Sequence, residues 1–382
     1  MLVRGVDEAD LRAFRDPPQA PPLPADQPWP RGDAPLAEPP PPALAGAIDA
    51  AFEEPEGQPG RMRQTLAVLV AHRGRLVAER YAPGIDATTP LLSWSAAKSV
   101  TAALVGVAVR EGRLELSAPA PVPEWRGPDD PRGRITVDQL LRMSSGLAFD
   151  EHYGATNDVS RMLFEAPDAG AFAARFPLAH EPDAFWSYSS GTSNILARIL
   201  RDAFGGDLEA MVRWSREAFF HPAGMRGVIF ETDASGSFVG SSLLYATGRD
   251  WARFGQLHLD DGVANGRRLL PEGFSRYVGT PTPKAPEGRY GAGWWTNGGD
   301  PFDPTKRTWP TIPRDAYAAR GMSGQYVVVI PSADLVVVRF GLSQSEGDAL
   351  HGIEPLLRTA LDVFSDRATT TPGRAAGQAR AG

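Results

Sequence analysis

Ser95 and Lys98, separated by two alanines, are the pair in this chain whose types and spacing could do chemistry most directly. Beyond them Val100, Ala103, Leu104, Val107 and Ala108 recur at helical spacing and Gly112 supplies a stop, so the pair is expected at the start of a helix. Residues three apart share a helix face, and their side chains can meet. A serine hydroxyl attacks poorly unless a base removes its proton. A desolvated lysine near the positive end of a helix has its pKa lowered toward that task, and the same end offers the Ser95 N–H to a developing oxyanion. The chemistry is acyl transfer through a serine ester. The spacing alone is not specific, but lysine usage sharpens it. The chain holds three lysines, Lys98, Lys284 and Lys306, and otherwise uses arginine, which keeps its proton where a buried lysine can release one. Lys98 is the one with both a serine and apolar neighbours.

Two further stretches carry polar groups suited to such a site. Trp186-Ser187-Tyr188-Ser189-Ser190-Gly191 directly precedes a helical pattern from Thr192 to Phe204, so a loop presents Tyr188 and Ser190 at a helix start. A tyrosine beside a lysine can relay protons; taken alone, Tyr188 reads first as a packed aromatic beside capping serines. Ala319-Arg320-Gly321-Met322-Ser323-Gly324-Gln325 runs into the strand pattern QYVVVIP. Small residues on an edge strand let a substrate backbone come close and receive a strand N–H.

The elements that must position these groups follow from periodicity. Residues 1–42 are crowded with proline and predict an extended arm lying on or leaving the domain, with Trp29 as an anchor. A short helix is expected from Ala43 to Phe52. TLAVLVAHRGRLVAERYAPG then predicts an antiparallel hairpin turning at Arg73 and Gly74. From about Thr136 to Leu270 helical patterns alternate with Gly and Pro turns (VDQLLRM, SRMLFEA, NILARILRDAF, LEAMVRWSREAFF, GRDWARFGQLHLD). Strand character returns in YGAGWWT, QYVVVIP and LVVVRFGL, before a last helix from about Ala349 to Phe364. The fold class is α/β (α+β): an antiparallel sheet built from both chain ends, helices on its faces, and a mostly helical lobe at about 136–270 inserted between its halves. The catalytic domain spans 43–365, and residues 366–382 read as a disordered tail.

Composition removes other classes. A formal charge of −7 and a pI near 5.5, with no basic run, give no field to attract nucleic acid or an anionic membrane. No stretch reaches the roughly 18 apolar residues of a membrane span, and MLVRGVDEADLRAF is too acidic and too weakly apolar for a signal peptide, so a cytoplasmic location is expected. Without cysteine there is neither a disulfide nor a thiolate site. The histidines, at 72, 152, 180, 221, 258 and 351, are scattered with no H-E-x-x-H, so no metal or other cofactor is expected. His152, in FDEHY, reads as a surface residue. An α/β-hydrolase elbow needs G-x-S-x-G, and Gly321-Met322-Ser323-Gly324 lacks its final spacing.

In this order and spacing the three elements resemble the serine β-lactamase and penicillin-binding-protein superfamily, with its S-x-x-K motif. ITVDQLLRMSSGL and the ending VVVIPSADLVVVRFG extend the resemblance over roughly residues 60–365. Within it the chain looks closest to class C β-lactamases, family VIII esterases and 6-aminohexanoate-dimer hydrolases. The resemblance implies an acyl-enzyme on Ser95, proton movement by Lys98 and Tyr188, and an oxyanion held by the backbone N–H groups of Ser95 and Met322. Ser190, Arg320 and Ser323 are the implied substrate contacts. Ser190 stands where the class C second motif has asparagine, and Arg320-Gly321 stands near its lysine-threonine-glycine. The expected partner is a small ester or amide, the alternatives being a D-amino-acid peptidase, a β-lactamase, or a non-catalytic protein binding a peptide or cell-wall fragment.

Overall fold

The computed structural model describes residues 16–55, 62–303, 305–344 and 351–365. The first helix is α1 (Pro42–Phe52). Strands β1 (Thr65–His72) and β2 (Arg75–Tyr81) form the expected hairpin, with Arg73 and Gly74 at φ +50° and +71°, the left-handed pair that a two-residue connection favours. A short β3 (Leu91–Leu92) enters a 3₁₀ turn at Trp94–Ala96, which runs straight into α2 (Ala97–Arg110). The helical stretch comprises α3 (Val137–Leu141), α4 (Asp158–Phe164), α5 (Ala169–Ala174), α6 (Ser190–Ala203) and α7 (Leu208–Ser215), the last extended by a π turn at Arg216–Phe220. Next come β4 (Ile229–Phe230), β5 (Leu244–Ala246), α8 (Gly248–Leu259), the ribbon β6 (Val263–Ala264) and β7 (Arg267–Arg268), and α9 (Phe274–Gly279). The chain then builds β8 (Trp295–Thr296), β9 (Tyr317–Gly321), β10 (Gln325–Ile330), β11 (Leu335–Gly341) and α10 (Ile353–Ser365).

The main sheet is antiparallel in the order β2-β1-β11-β10-β9-β8, so strands from the two ends of the fold are neighbours, with Leu69 opposite Val338 and Val70 opposite Val337. Period-two alternation divides its apolar residues between two cores. Val68, Val70, Val328, Ile330 and Val337 face Leu44, Ile48, Leu356 and Leu357 of α1 and α10. Leu69, Val327, Val329, Val336 and Val338 face the other way, toward a core shared with Trp251, Phe254 and α2. Burial on both faces explains why these strands read as unbroken apolar runs. The fold class is as expected.

Several elements differ from expectation. α8, expected in the inserted lobe, lies on the sheet: a Cβ at Gly255 would stand 2.5 Å from Val336 and 3.0 Å from Val327, so glycine is what allows the approach. Helical periodicity identified this helix but says nothing of which layer it covers. Helices α5 and α9 had no strong periodic signal, and YGAGWWT yields strand only at Trp295–Thr296. The 366–382 tail, residues 1–15 of the arm and the start of the last helix at Ala349 lie outside the described residues. The rest of the arm is strapped to α8. Trp29 is buried and its indole N–H donates to Arg249 O, while Arg253 donates to Pro30 O, Gly32 O and Asp33.

α2 is buried along nearly its whole length, from Ala97 to Ala108, because its small side chains let sheet and lobe close on it from both sides. Hydroxyls fix its height and rotation: Ser99 Oγ donates to Gly293 O and Thr101 Oγ1 to Gly240 O, both at 2.7 Å.

On β11, Arg339 is fully buried yet well supplied with acceptors. It donates to Gly324 O at 2.6 Å, Thr65 Oγ1 at 3.0 Å, Ser343 Oγ at 3.1 Å and Arg63 O at 3.1 Å. Burial lowers its pKa to about 10, so it remains a cation at neutral pH. Gly324 sits at φ +84°, and a Cβ there would meet the guanidinium at 2.1 Å. Arg339 thus bolts the β9–β10 turn to the sheet. Arg339→Met, which fills the space but removes the donor to Gly324 O and the links to Thr65 and Ser343, is expected to lower unfolding free energy by about 2–4 kcal/mol; urea unfolding followed by tryptophan fluorescence measures it, and a loss under about 1 kcal/mol would contradict the bolt.

Candidate active site

Ser95 lies in the 3₁₀ turn between β3 and α2, directly after Trp94, whose φ of +43° is unusual for a bulky residue. The turn is tied down on both sides: Ser93 N donates to Leu244 O at 2.8 Å, and Ala96 N to Ser93 O at 3.2 Å. This reversal leaves Ser95 partly exposed and places Lys98, one turn on, 3% exposed. Lys98 Nζ donates to Ser95 Oγ at 3.1 Å, Ser190 Oγ at 3.0 Å and Ser241 O at 3.0 Å. Three acceptors match the three protons of an ammonium. Burial lowers the amine's pKa to about 8, while the Glu151 carboxylate works in the opposite direction.

Tyr188 covers the pair from above. Lys98 Nζ stands 4.8 Å from the centre of its ring, and the Ser95 side chain lies close enough to its hydroxyl to favour its ionised form. Burial pushes the phenol well above its ordinary range, so at neutral pH it keeps its proton, and of the two side chains beside Ser95 the Lys98 amine, with its lowered pKa, is the better able to accept one. The ring belongs to an aromatic wall: Trp295 lies at 5.2 Å, Tyr290 at 5.7 Å, and Trp186 stands 5.6 Å from Tyr290.

Ser190, expected as a substrate contact, is fully buried at the first turn of α6 with its hydroxyl engaged on two sides. It accepts from Lys98 and donates to Glu151 Oε1 at 2.6 Å, while Ser190 N donates to Glu151 Oε2 at 2.6 Å. Its place is in the hydrogen-bond network with Lys98, beneath Ser95. The β9–β10 turn brings Met322 and Ser323 to the same region. Strand β8 pairs only with Tyr317 and Ala318, so the far end of β9 faces the 3₁₀ turn instead, and a Cβ at Gly321 would lie 2.1 Å from Ser93 O. β9 is therefore an interior strand whose neighbour is too short to cover it. Gln325 Nε2 donates to Met322 O at 2.9 Å and to Gly341 O at 2.6 Å, fixing the Met322 peptide. Ser323 sits at φ +61° in the turn. Arg320, half-buried, lays its guanidinium over Trp295 and Tyr326, each at 5.2 Å, and Trp309 at 5.8 Å, a stacking that lysine would not reproduce.

Sequence reasoning missed Glu151, Tyr153, Ser241 and Ser242. The hydroxyl of Tyr153 reaches Ser190 and Ser242. The signal lay in FDEHY, in the residues on either side of the histidine. His152 points outward, 93% exposed and paired with Asp150 at 2.7 Å, while Glu151 and Tyr153 on either side turn toward the site, as alternate residues of an extended segment do. Among the described residues no group of three His, Asp or Glu side chains could hold a metal ion, and no helix is long and apolar enough to cross a membrane.

The Beta-lactamase family model matches residues 48–355. The chain belongs to that family, and it is a serine hydrolase. The 6-aminohexanoate-dimer hydrolase of Paenarthrobacter ureafaciens is 27% identical over 312 residues, 75% of this chain and 74% of the relative. Similar folds include a penicillin-binding-protein homologue from Caulobacter crescentus, with a TM-score of 0.63 and 18% identity over 86% of this chain and all of that one. A family VIII carboxylesterase gives a TM-score of 0.64 and 16% identity over 85% of this chain and 98% of that one.

Three outcomes test the arrangement. If Lys98 must be neutral to take the Ser95 proton, the acylation rate is low below its pKa and rises with pH through about 8; a flat profile from pH 6 to 10 would exclude lysine as the base. Lys98→Arg is expected to lose about 10²–10⁴-fold in kcat, nearly as much as Lys98→Ala, since arginine keeps the charge but accepts no proton. Tyr188→Phe should also lose most activity while its circular dichroism stays unchanged.

Proposed function

We propose that the chain hydrolyses small linear esters or amides through an acyl-enzyme on Ser95. The observation that carries this reading is the buried Lys98 amine 3.1 Å from the Ser95 hydroxyl. Ser95 Oγ attacks the substrate carbonyl carbon as its proton passes to Lys98. The negative charge gathering on the carbonyl oxygen is held by the N–H groups of Ser95 and Met322. Collapse breaks the acyl bond to the leaving group, which departs as an alcohol or amine after receiving a proton carried by Lys98 and Tyr188. Water then attacks the acyl carbon, returns a proton to the pair and frees the acid and Ser95.

The aromatic wall of Tyr188, Tyr290 and Trp295 suits an apolar acyl or leaving group beside the nucleophile. Linear rather than bicyclic substrates are favoured by the two departures in the motifs. Ser190 is buried in the hydrogen-bond network and leaves no asparagine-like arm in the cleft, and Arg320 is held flat by three rings. A planar guanidinium suits a terminal carboxylate, so Arg320 is read as the clamp for an acid-ended substrate, with Ser323 beside it in the turn. The curated relative named for hydrolysis of a 6-aminohexanoate dimer and the fold shared with a family VIII carboxylesterase support the same reading.

Catalytic efficiency on a chromogenic cephalosporin should fall at least about tenfold below that on p-nitrophenyl butyrate or a linear aminohexanoate dimer, the scale of one lost specificity contact. Efficient cephalosporin turnover would defeat the substrate assignment. Arg320→Ala should erase any preference for acid-ended amides and leave neutral esters largely unaffected; an unchanged preference would remove the clamp. A slow acylating probe should add one mass adduct, absent from Ser95→Ala.

A further inference from the structure

Lys98 must do more than lose a proton: the resulting lone pair has to point at Ser95. A neutral amine keeps two N–H donors and one lone pair, and the groups around Nζ decide where each goes. Ser241 offers a backbone carbonyl, which only accepts. Ser190 offers a hydroxyl, which could either accept or donate.

Glu151 removes that choice. Its two carboxylate oxygens clasp Ser190 at both ends, Oε2 taking the backbone N–H and Oε1 the hydroxyl proton, each at 2.6 Å. With its proton committed to Glu151, the Ser190 hydroxyl turns only lone pairs toward Lys98. Ser190 and Ser241 O therefore take both N–H groups of a neutral Lys98, and the lone pair is left for the one remaining neighbour, Ser95 Oγ. We propose that Glu151 is a positioning residue that, through Ser190, aims the Lys98 lone pair at the nucleophile. This rests on the acyl-enzyme reading above.

The charged and titratable groups around this pair come from five segments. Lys98 is on α2, Asp150 and Tyr153 flank Glu151 on its own loop, Tyr188 precedes α6, Tyr290 stands before β8, and Arg320 on β9 acts on Tyr188. Of these, Glu151 is the charge that acts on Lys98, against the effect of burial. Replacing it by its neutral isostere has a definite sign. Without the carboxylate the ammonium loses its stabilising charge, so Lys98 releases its proton at lower pH. A glutamine that still accepts the Ser190 N–H turns its amide N–H₂ toward the hydroxyl. The Ser190 proton is then redirected to the Lys98 lone pair, and the base aims at the wrong serine.

The small lysine count makes the charge effect directly readable. Lysine labelled with ¹³C at Cε gives three signals in this chain, and Lys98→Arg assigns the one that matters. In Glu151→Gln the Lys98 titration should move down by about one pH unit or more, while Glu151→Asp, which keeps the charge, stays close to wild type. No movement, or movement upward, overturns the inference whatever the substrate. The aim is read by a double-mutant cycle on Ser95 labelling with a fluorophosphonate at a pH above both titrations. Glu151→Gln should slow labelling at least about tenfold in the wild-type background and under about threefold in Ser190→Ala, where no hydroxyl remains to turn. Equal losses in both backgrounds would show that Glu151 does not act through Ser190. If Glu151→Gln fails to fold by circular dichroism, Ser190→Ala supplies the aim from the other end: it should slow labelling and leave Glu151→Asp with no further effect, and additive losses would overturn the inference. Wild-type protein that labels elsewhere than Ser95 brings down the acyl-enzyme reading instead, and the Lys98 titration still reports on Glu151.

Discussion

A primary amine held 3% exposed, 3.1 Å from a serine hydroxyl, is the constraint on which the rest of this structure depends. Burying an ammonium without partners is costly enough that the group discharges instead. Lys98 is poised between those outcomes: burial lowers its pKa to about 8, three acceptors and a nearby carboxylate keep the charged form accessible, and the neutral form comes within reach about one pH unit above neutrality. A base that must give and take a proton within one catalytic cycle needs that balance. It follows that α2 has to be buried on all sides, and its run of alanines, small polar residues and glycine is what lets a helix lie that deep.

The neighbours of Lys98 come from elements far apart in the chain, and each is fixed by a different device. Ser95 is set by a left-handed Trp94 and the hydrogen bonds of Ser93. Ser190 starts α6, capped by Ser189. Ser241 follows a segment anchored through Gly240 O on Thr101. The β9–β10 turn is held from below by Arg339 and from the side by Gln325. No one of these segments would hold its geometry alone. The sheet joins them by pairing β1 with β11, so the hairpin leading toward Ser95 and the strands carrying Met322 belong to one rigid body.

The meeting of Ser95 and Lys98 was legible in the sequence, where residue type and spacing were both unusual. Lys98 stood out because the chain otherwise avoids lysine, and the structure buries it while Lys306 remains 65% exposed. The hairpin, α2 and the paired strands β10 and β11 were legible because their apolar periods are long. Glu151 was not, since a glutamate in a loop looks like any solvated acid until a serine 39 residues away is folded onto it. The layer of α8 was hidden for a related reason: a helix whose apolar stripe is plain can cover a lobe or a sheet equally well, and Gly255, the residue that decides, carries no side chain to announce it. β9 was obscured by its length of five residues and by glycine at its working end.

The contrast between Lys98 and Arg320 shows why one lysine persists among so many arginines. Both cations lie beside aromatic rings, Lys98 under Tyr188 and Arg320 across Trp295, Trp309 and Tyr326. The Arg320 guanidinium, set among three rings, is a fixed feature of the cleft. The amine, compact and enclosed by acceptors, can change state without moving. Between them lies the Tyr188 phenol, sensitive to both, since the Arg320 charge eases its ionisation while burial opposes it. The fold thus keeps the two cations apart, Lys98 buried beside Ser95 and Arg320 set among aromatic rings, with the Tyr188 hydroxyl influenced by both sides of the cleft.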